Sequence, residues 1–384
     1  SSNNATKLSF KTGASEAATE KVAISSAGNL SLTASNTELR FYEGSNYVGF
    51  EAPALSADKI WVLPSADGSA NQVLKTDGSG TLSWATSSGA TSVNGLSDAL
   101  IETNSMYIGN DPSSTTDDAQ YNVALGTTAL DAVTTGDYNT AVGYAALTAN
   151  TTGLYNTGSG ATALAANTTG DFNIATGARA LDANTTGSGN AAIGYNALGT
   201  NTTGARNLAI GYQAYDGADT ENDNLAIGYD ALGGAVAGGE YNVAIGNYSL
   251  DANTSGGWNT AVGYDAMTTN IGGDKNTSIG FQSLLANTEG NKNVAVGMYS
   301  MYANTTASDN VAVGYESLKV NSTGTSNTAL GYASLAANTT ASYNTAIGWQ
   351  SMLATAGAGT FNTGVGARSL ETNTTGDDNT AVGV

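Results

Sequence analysis

The sequence predicts an all-β protein, a 17-residue-repeat β-solenoid or β-roll shaft preceded by a small N-terminal β module. Two observations carry this prediction. An Asn recurs at nearly constant spacing over most of the chain, with a Gly four residues after each one. Ahead of the repeats, short apolar patterns are broken by turn residues about every ten positions.

The period comes first, because a repeat overrides the domain count that 384 residues would suggest. The opening Asn of each copy are Asn122, Asn139, Asn156, Asn173, Asn190, Asn207, Asn224, Asn242, Asn259, Asn276, Asn293, Asn310, Asn327, Asn344, Asn362 and Asn379. The steps are 17 residues, with two of 18. The matching glycines run from Gly126 and Gly143 through Gly194, Gly246, Gly297 and Gly348 to Gly383. One step upstream, Ser105 to Gly109 keeps the register with Ser in the Asn place, as a degenerate capping copy would.

Each position of the consensus NTAVGYxALxANTTG has a physical reading. The third residue after Asn is nearly always Val, Ile or Leu (Val142, Ile193, Val313) and the eighth is Leu or Met (Leu147, Met267), so both are expected as core rungs. A strand alternates its faces, which turns the second residue, almost always Ala (Ala141, Ala192, Ala295), the other way. A row kept that small is expected to face a partner chain around an axis. The Gly marks a corner needing φ > 0 or a close backbone approach. Asn at the start of each copy and eleven residues later (Asn150, Asn167, Asn253) is expected to stack into amide ladders. At roughly 4.8 Å per coil, sixteen copies make a rod on the order of 75 Å long.

The chain divides into a β-rich module over 1–88, a connector over 89–104 with room for one helical turn, and the repeat shaft over 105–384. Within the module, KLSF, KVAIS, NLSLT, ELRFYEG, YVGFEAP, KIWVLP and QVLKTDGSGTLSW read as short strands and hairpins. Its large apolar residues, among them Phe41, Phe50, Trp61 and Trp84, are few. So thin a core favours strand exchange between subunits.

Composition excludes several functions. There is no Cys and no His, which removes thiolate nucleophiles, disulfides, Cys/His zinc sites and histidine acid–base pairs. With 32 acidic against 12 basic residues and a net charge of −20, the chain repels nucleic acid and anionic lipid. No apolar run is long enough for a membrane-spanning helix. The acidic pairs Asp117–Asp118, Glu221 with Asp223, and Asp377–Asp378 fall in loops and read as solvated, so no enzyme activity is expected. Gly272-Gly273-Asp274 is one isolated echo of a calcium repeat, so neither a metal nor a cofactor is expected. Aromatics form two rows. One follows the invariant Gly (Tyr144, Tyr195, Tyr212) and reads as a structural ladder; the other precedes the repeat Asn and reads as outward, interrupted by Arg206, Lys275, Asp309 and Ser326. Within the outward row, Tyr138, Tyr155, Tyr241, Trp258 and Tyr343 are candidate glycan contacts.

The segment LRFYEGSNYVGFEAPALSADKIWVLPSADGSANQVLKTDGSGTLSWAT, from Leu39 to Thr86, resembles a module of bacteriophage tail fibres, particularly marine ones. MYIGNDPSSTTDDAQYNVALGTTAL from Met106 and the NTAVGYxALxxNTTG repeats are similar to the same fibres. NVAIG at Asn242 and NVAVG at Asn293 also resemble the strand motif of YadA-like trimeric adhesin head repeats, from which this chain departs in its longer repeat and its ALxANTTG insertion. The resemblance implies a virion structural protein, a fibre shaft that attaches to the host through a glycan or protein receptor. Its partners would be itself, as a homotrimeric fibre, and other tail or baseplate proteins. A bacterial surface adhesin or extracellular matrix filament is the alternative.

Overall fold

A computed structural model describes residues 8–12, 19–32, 38–43, 45–51, 61–70, 72–79, 81–86, 99–102, 104–109, 118–217 and 219–384. The chain splits into two compact units, Ser1–Gly89 and Ala90–Val384.

The first unit holds three small antiparallel pieces. β1 (Leu8–Thr12), β2 (Thr19–Ile24) and β3 (Leu30–Leu32) form a meander, while β4 (Glu38–Glu43) pairs β5 (Asn46–Glu51) in a hairpin. β6 (Gln72–Thr76) pairs β7 (Leu82–Thr86) across the expected DGSG turn. There Asp77 accepts from the Ser79 amide at 2.8 Å and the Ser79 hydroxyl at 2.7 Å, which pulls its carboxyl down to about 2. Val62 adds a single bridge to Thr81. Trp61, Val62, Leu63, Val73 and Leu74 are exposed, and Ala23 is the one buried apolar residue among those described in this unit.

The second unit is a β-solenoid. Where the connector left room for a helical turn, Ala99–Glu102 is instead β8, antiparallel to β9 (Ser105–Ile108); residues 89–98 lie outside the described set. From β9 onward the sheet is parallel, each three-residue strand pairing with the one 17 or 18 residues later. It runs from β10 (Val123–Leu125) and β11 (Thr140–Val142) to β25 (Thr380–Val382). The degenerate first copy is a true coil, because Met106–Ile108 pairs with Val123–Leu125 and the Ser105 hydroxyl accepts from the Asn122 amide at 2.9 Å, as an Asn side chain does elsewhere. Tyr107, fully buried, fills that coil where later ones carry Ala.

The strands face opposite to the expectation. Ala141, Ala192, Ala261, Ala295 and their equivalents are fully buried inside the coil, against Leu147, Leu181, Met267 and Leu318. The Val/Ile/Leu row points out: Val142 is 38% exposed, Ile193 43% and Leu330 45%. A 17-residue coil is too narrow for two bulky rows. Once Leu occupies one wall, only Ala fits opposite, and the larger aliphatic side chains are left outside.

Four left-handed residues per coil bend so short a chain back on itself. In the second copy they are Tyr138 (φ 57°), Gly143 (134°), Ala145 (53°) and Leu147 (52°). Left-handed backbone penalises β-branched side chains, which explains why the buried eighth position takes Leu, Met or Tyr215 and never the Val or Ile common in the strands. A Cβ on Gly143 would lie 2.5 Å from the Gly160 carbonyl oxygen, so that corner excludes every other residue sterically as well.

Candidate functional site

The interior is occupied by structure. The opening Asn form a ladder: Asn122 Oδ1 accepts from the Asn139 amide at 2.8 Å, Asn139 Oδ1 from Asn156 at 2.9 Å, and the register continues through Asn190, Asn242, Asn293 and Asn344. The Nδ2 of Asn139 donates to the Gly153 carbonyl, fastening the second corner at 2.8 Å. A second ladder joins Asn150, Asn167, Asn184 and Asn201 by side-chain amides at 2.7–2.9 Å. It resumes at Asn253 and runs to Asn338. Asn201 Oδ1 and Asn338 Oδ1, the last acceptors of the two runs, are buried without a donor. The period explains both: the next positions in sequence are Ala218 and Thr355.

What remains for function is the outward face. It carries four parallel rows: the residue before each Asn, the first and third residues after it, and the residue after the invariant Gly. The two aromatic rows both stack and are both exposed. Ahead of the Asn, ring centroids of Tyr121–Tyr138, Tyr138–Tyr155 and Tyr155–Phe172 are 4.7, 4.8 and 5.1 Å apart. Tyr241–Trp258 follows at 5.6 Å and Tyr343–Phe361 at 4.8 Å. After the Gly, Tyr195–Tyr212–Tyr229, Tyr264–Phe281 and Tyr315–Tyr332 stack at 5.2–5.6 Å. Crowding in the first column lifts the Tyr138 phenol above its ordinary value, by desolvation first and then by Tyr121 and Tyr155.

This geometry alters the glycan reading. A sugar stacks on an open ring face, yet both faces of Tyr138 and Tyr155 are covered by their neighbours. Trp258 has Tyr241 on one side and the Lys275 ammonium 5.6 Å from its ring centroid. In the column ahead of the Asn, open faces belong to rings at the ends of a run, such as Phe172. The sequence already held the signal, as consecutive aromatics at 17-residue spacing that end at Gly189.

The acidic pairs singled out in the sequence do not converge on one another. Glu221 folds inward and accepts from the amides of Asp219, Thr220 and Gly238 at 3.1, 3.1 and 2.9 Å. Asp223 is paired with Arg206 at 2.7 Å, and hydrogen bonding from that guanidinium holds its carboxyl below the usual range. Asp377 is lowered by the Thr360 amide and hydroxyl, and Asp274 accepts from the Gly257 amide at 2.8 Å. Asp117 lies outside the described residues. Among the described residues no group of three or more acidic side chains is placed to hold a metal ion, and no helix is long and apolar enough to cross a membrane.

Comparison with known proteins adds no relative: no family model, no curated protein and no solved structure matches the chain.

Proposed function

We propose that the chain is the shaft of a homotrimeric bacteriophage tail fibre, a non-enzymatic virion protein that holds and presents contacts for host attachment. The observation that carries the reading is the aliphatic row turned outward along the sheet, typified by Val142, Ile193, Ile279 and Leu330, in a chain of net charge −20. Water gains nothing from an apolar strip that is broken only at Ser159 and Thr176, and such strips mark interaction surfaces. A second copy of the same rod matches its period rung for rung. The interface therefore moves from the Ala row, which is interior, to the Val/Ile/Leu row beside it. The exposed apolar residues of the first unit, Trp61, Leu63 and Val73, point to the same need for partner copies. Multivalent presentation would supply adhesive strength without a deep pocket.

Light scattering tests the assembly. A solution mass three times the 38.4 kDa chain is expected, and Val294→Asp with Val296→Asp on the outward row should yield folded monomer. A wild-type chain that stays monomeric at micromolar concentration overturns the reading.

A further inference from the structure

The outward face has one notch. In the coil that opens at Asn190, the position before the Asn is Gly189 and the first position after it is Ala191. No other copy carries Gly at the first of these positions or Ala at the second. The rung above presents Phe172, 60% exposed, with Tyr155 on one face only; the rung below presents Arg206. The Arg206 guanidinium turns to the following coil, its Nε and Nη2 each 2.7 Å from an Asp223 oxygen, while the Arg206 stem floors the gap, its Cγ 3.7 Å from where a Cβ on Gly189 would lie. Phe172 and Arg206 thus stand two coils apart, about 9.6 Å at the ordinary strand spacing. That separation leaves room for one ring-shaped group at the empty rung.

The geometry points to Phe172–Gly189–Arg206 as a binding notch for one neutral pyranose residue of a surface glycan, stacked on the free face of Phe172. The inference rests on the attachment reading above and deepens it. The chemistry of the walls selects the occupant. A pyranose has one apolar C–H face for the phenyl ring and a rim of hydroxyls. Beside the empty rung stands the Ser188 hydroxyl, which accepts from the Asp171 amide at 3.0 Å. Arg206 supplies donors from its remaining Nη1 on the other side. The acidic chain disfavours an anionic sugar, which leaves neutral hexoses.

The test fills the notch without breaking the coil. Gly189 has φ 71°, and Tyr155, Phe172 and Arg206 adopt 56–59° at the same position, so Gly189→Tyr extends the aromatic column in a backbone that already accepts Tyr. Saturation-transfer NMR on the full chain, with neutral glucose and galactose tetrasaccharides as probes, should show transfer to sugar ring protons. Gly189→Tyr should abolish it, and Phe172→Ala should raise Kd by about fivefold, the worth of one aromatic face. Asp309→Asn, in the same column but far from the gap, should leave it unchanged. Absence of transfer in the wild type, or transfer that survives Gly189→Tyr, overturns the notch. Solution mass measured alongside keeps the two readings apart: a trimer that ignores both sugars overturns the notch alone. A mass changed by Gly189→Tyr assigns the gap to packing between copies and overturns it too.

Discussion

The two units use similar residues to opposite effect. In the solenoid, Ala, Leu and Asn from each coil vanish from solvent, and each coil's amides bond the coil on either side. In the first unit, Trp61, Leu63 and Val73 stay exposed on pieces of two or three strands. An isolated hairpin is marginal in water, whereas a coil of equal size becomes stable because its neighbour satisfies it on both faces. Repetition makes the difference. Stability in the second unit comes from stacking, and the described strands of the first unit have no such stack.

Hydrogen exchange probes that contrast most strongly. Amides of β18 (Thr260–Val262) to β20 (Val294–Val296) should exchange at least roughly a thousandfold more slowly than those of β6 and β7. Equal protection would mean that partner copies, rather than the chain's own core, hold the first unit. Next in size is Asn293→Ala. It removes the acceptor for the Asn310 amide and the donor to the Ala307 carbonyl, both buried. The Ala307 carbonyl keeps the Asn304 Nδ2 at 3.1 Å, so one buried amide is left unmet and a loss of about 3 kcal/mol is expected, read as a fall in the urea midpoint.

A paired substitution tests which way the strands face. Ala295→Val overfills the interior and should cost about 2 kcal/mol, while Val296→Ala trims a half-exposed row and should cost less than about 1 kcal/mol in a single chain. The reverse order would return the Ala row to the outside. If Val296→Ala weakens self-association but not the fold, the proposed interface is sharpened.

Asp251→Asn has the smallest expected effect. Burial raises the Asp251 carboxyl above its ordinary value, and Asp230, Asp216 and Asp265 add to the shift. Between the ordinary 3.8 and the raised value the folded chain binds more protons than the unfolded one, so this site's contribution to stability falls as pH rises through that window. The substitution should raise Tm at pH 7 on the order of 1 °C and change nothing below pH 3.8; equal shifts at both pH values would exclude ionisation as the cause.

Much of the site was legible in the sequence. The Asn and Gly positions, the outward aromatic row and its interruptions all follow from the period. The open face of Phe172 was legible in principle, since Gly189 follows it in register, but the stacking that covers Tyr138 and Tyr155 emerges only when adjacent coils are set one above the other. The DGSG hairpin was equally plain, because its turn chemistry is local.

The sequence by itself determined the coil: its length, its Asn ladders, its glycine corners and the class of fold, because each of those features depends on one residue and its counterpart one period away. Alternation shows that Ala and Val face opposite ways but not which way is in. Only the tertiary structure decided that, since the answer depends on the width left inside a closed 17-residue coil once the Leu row has filled one wall.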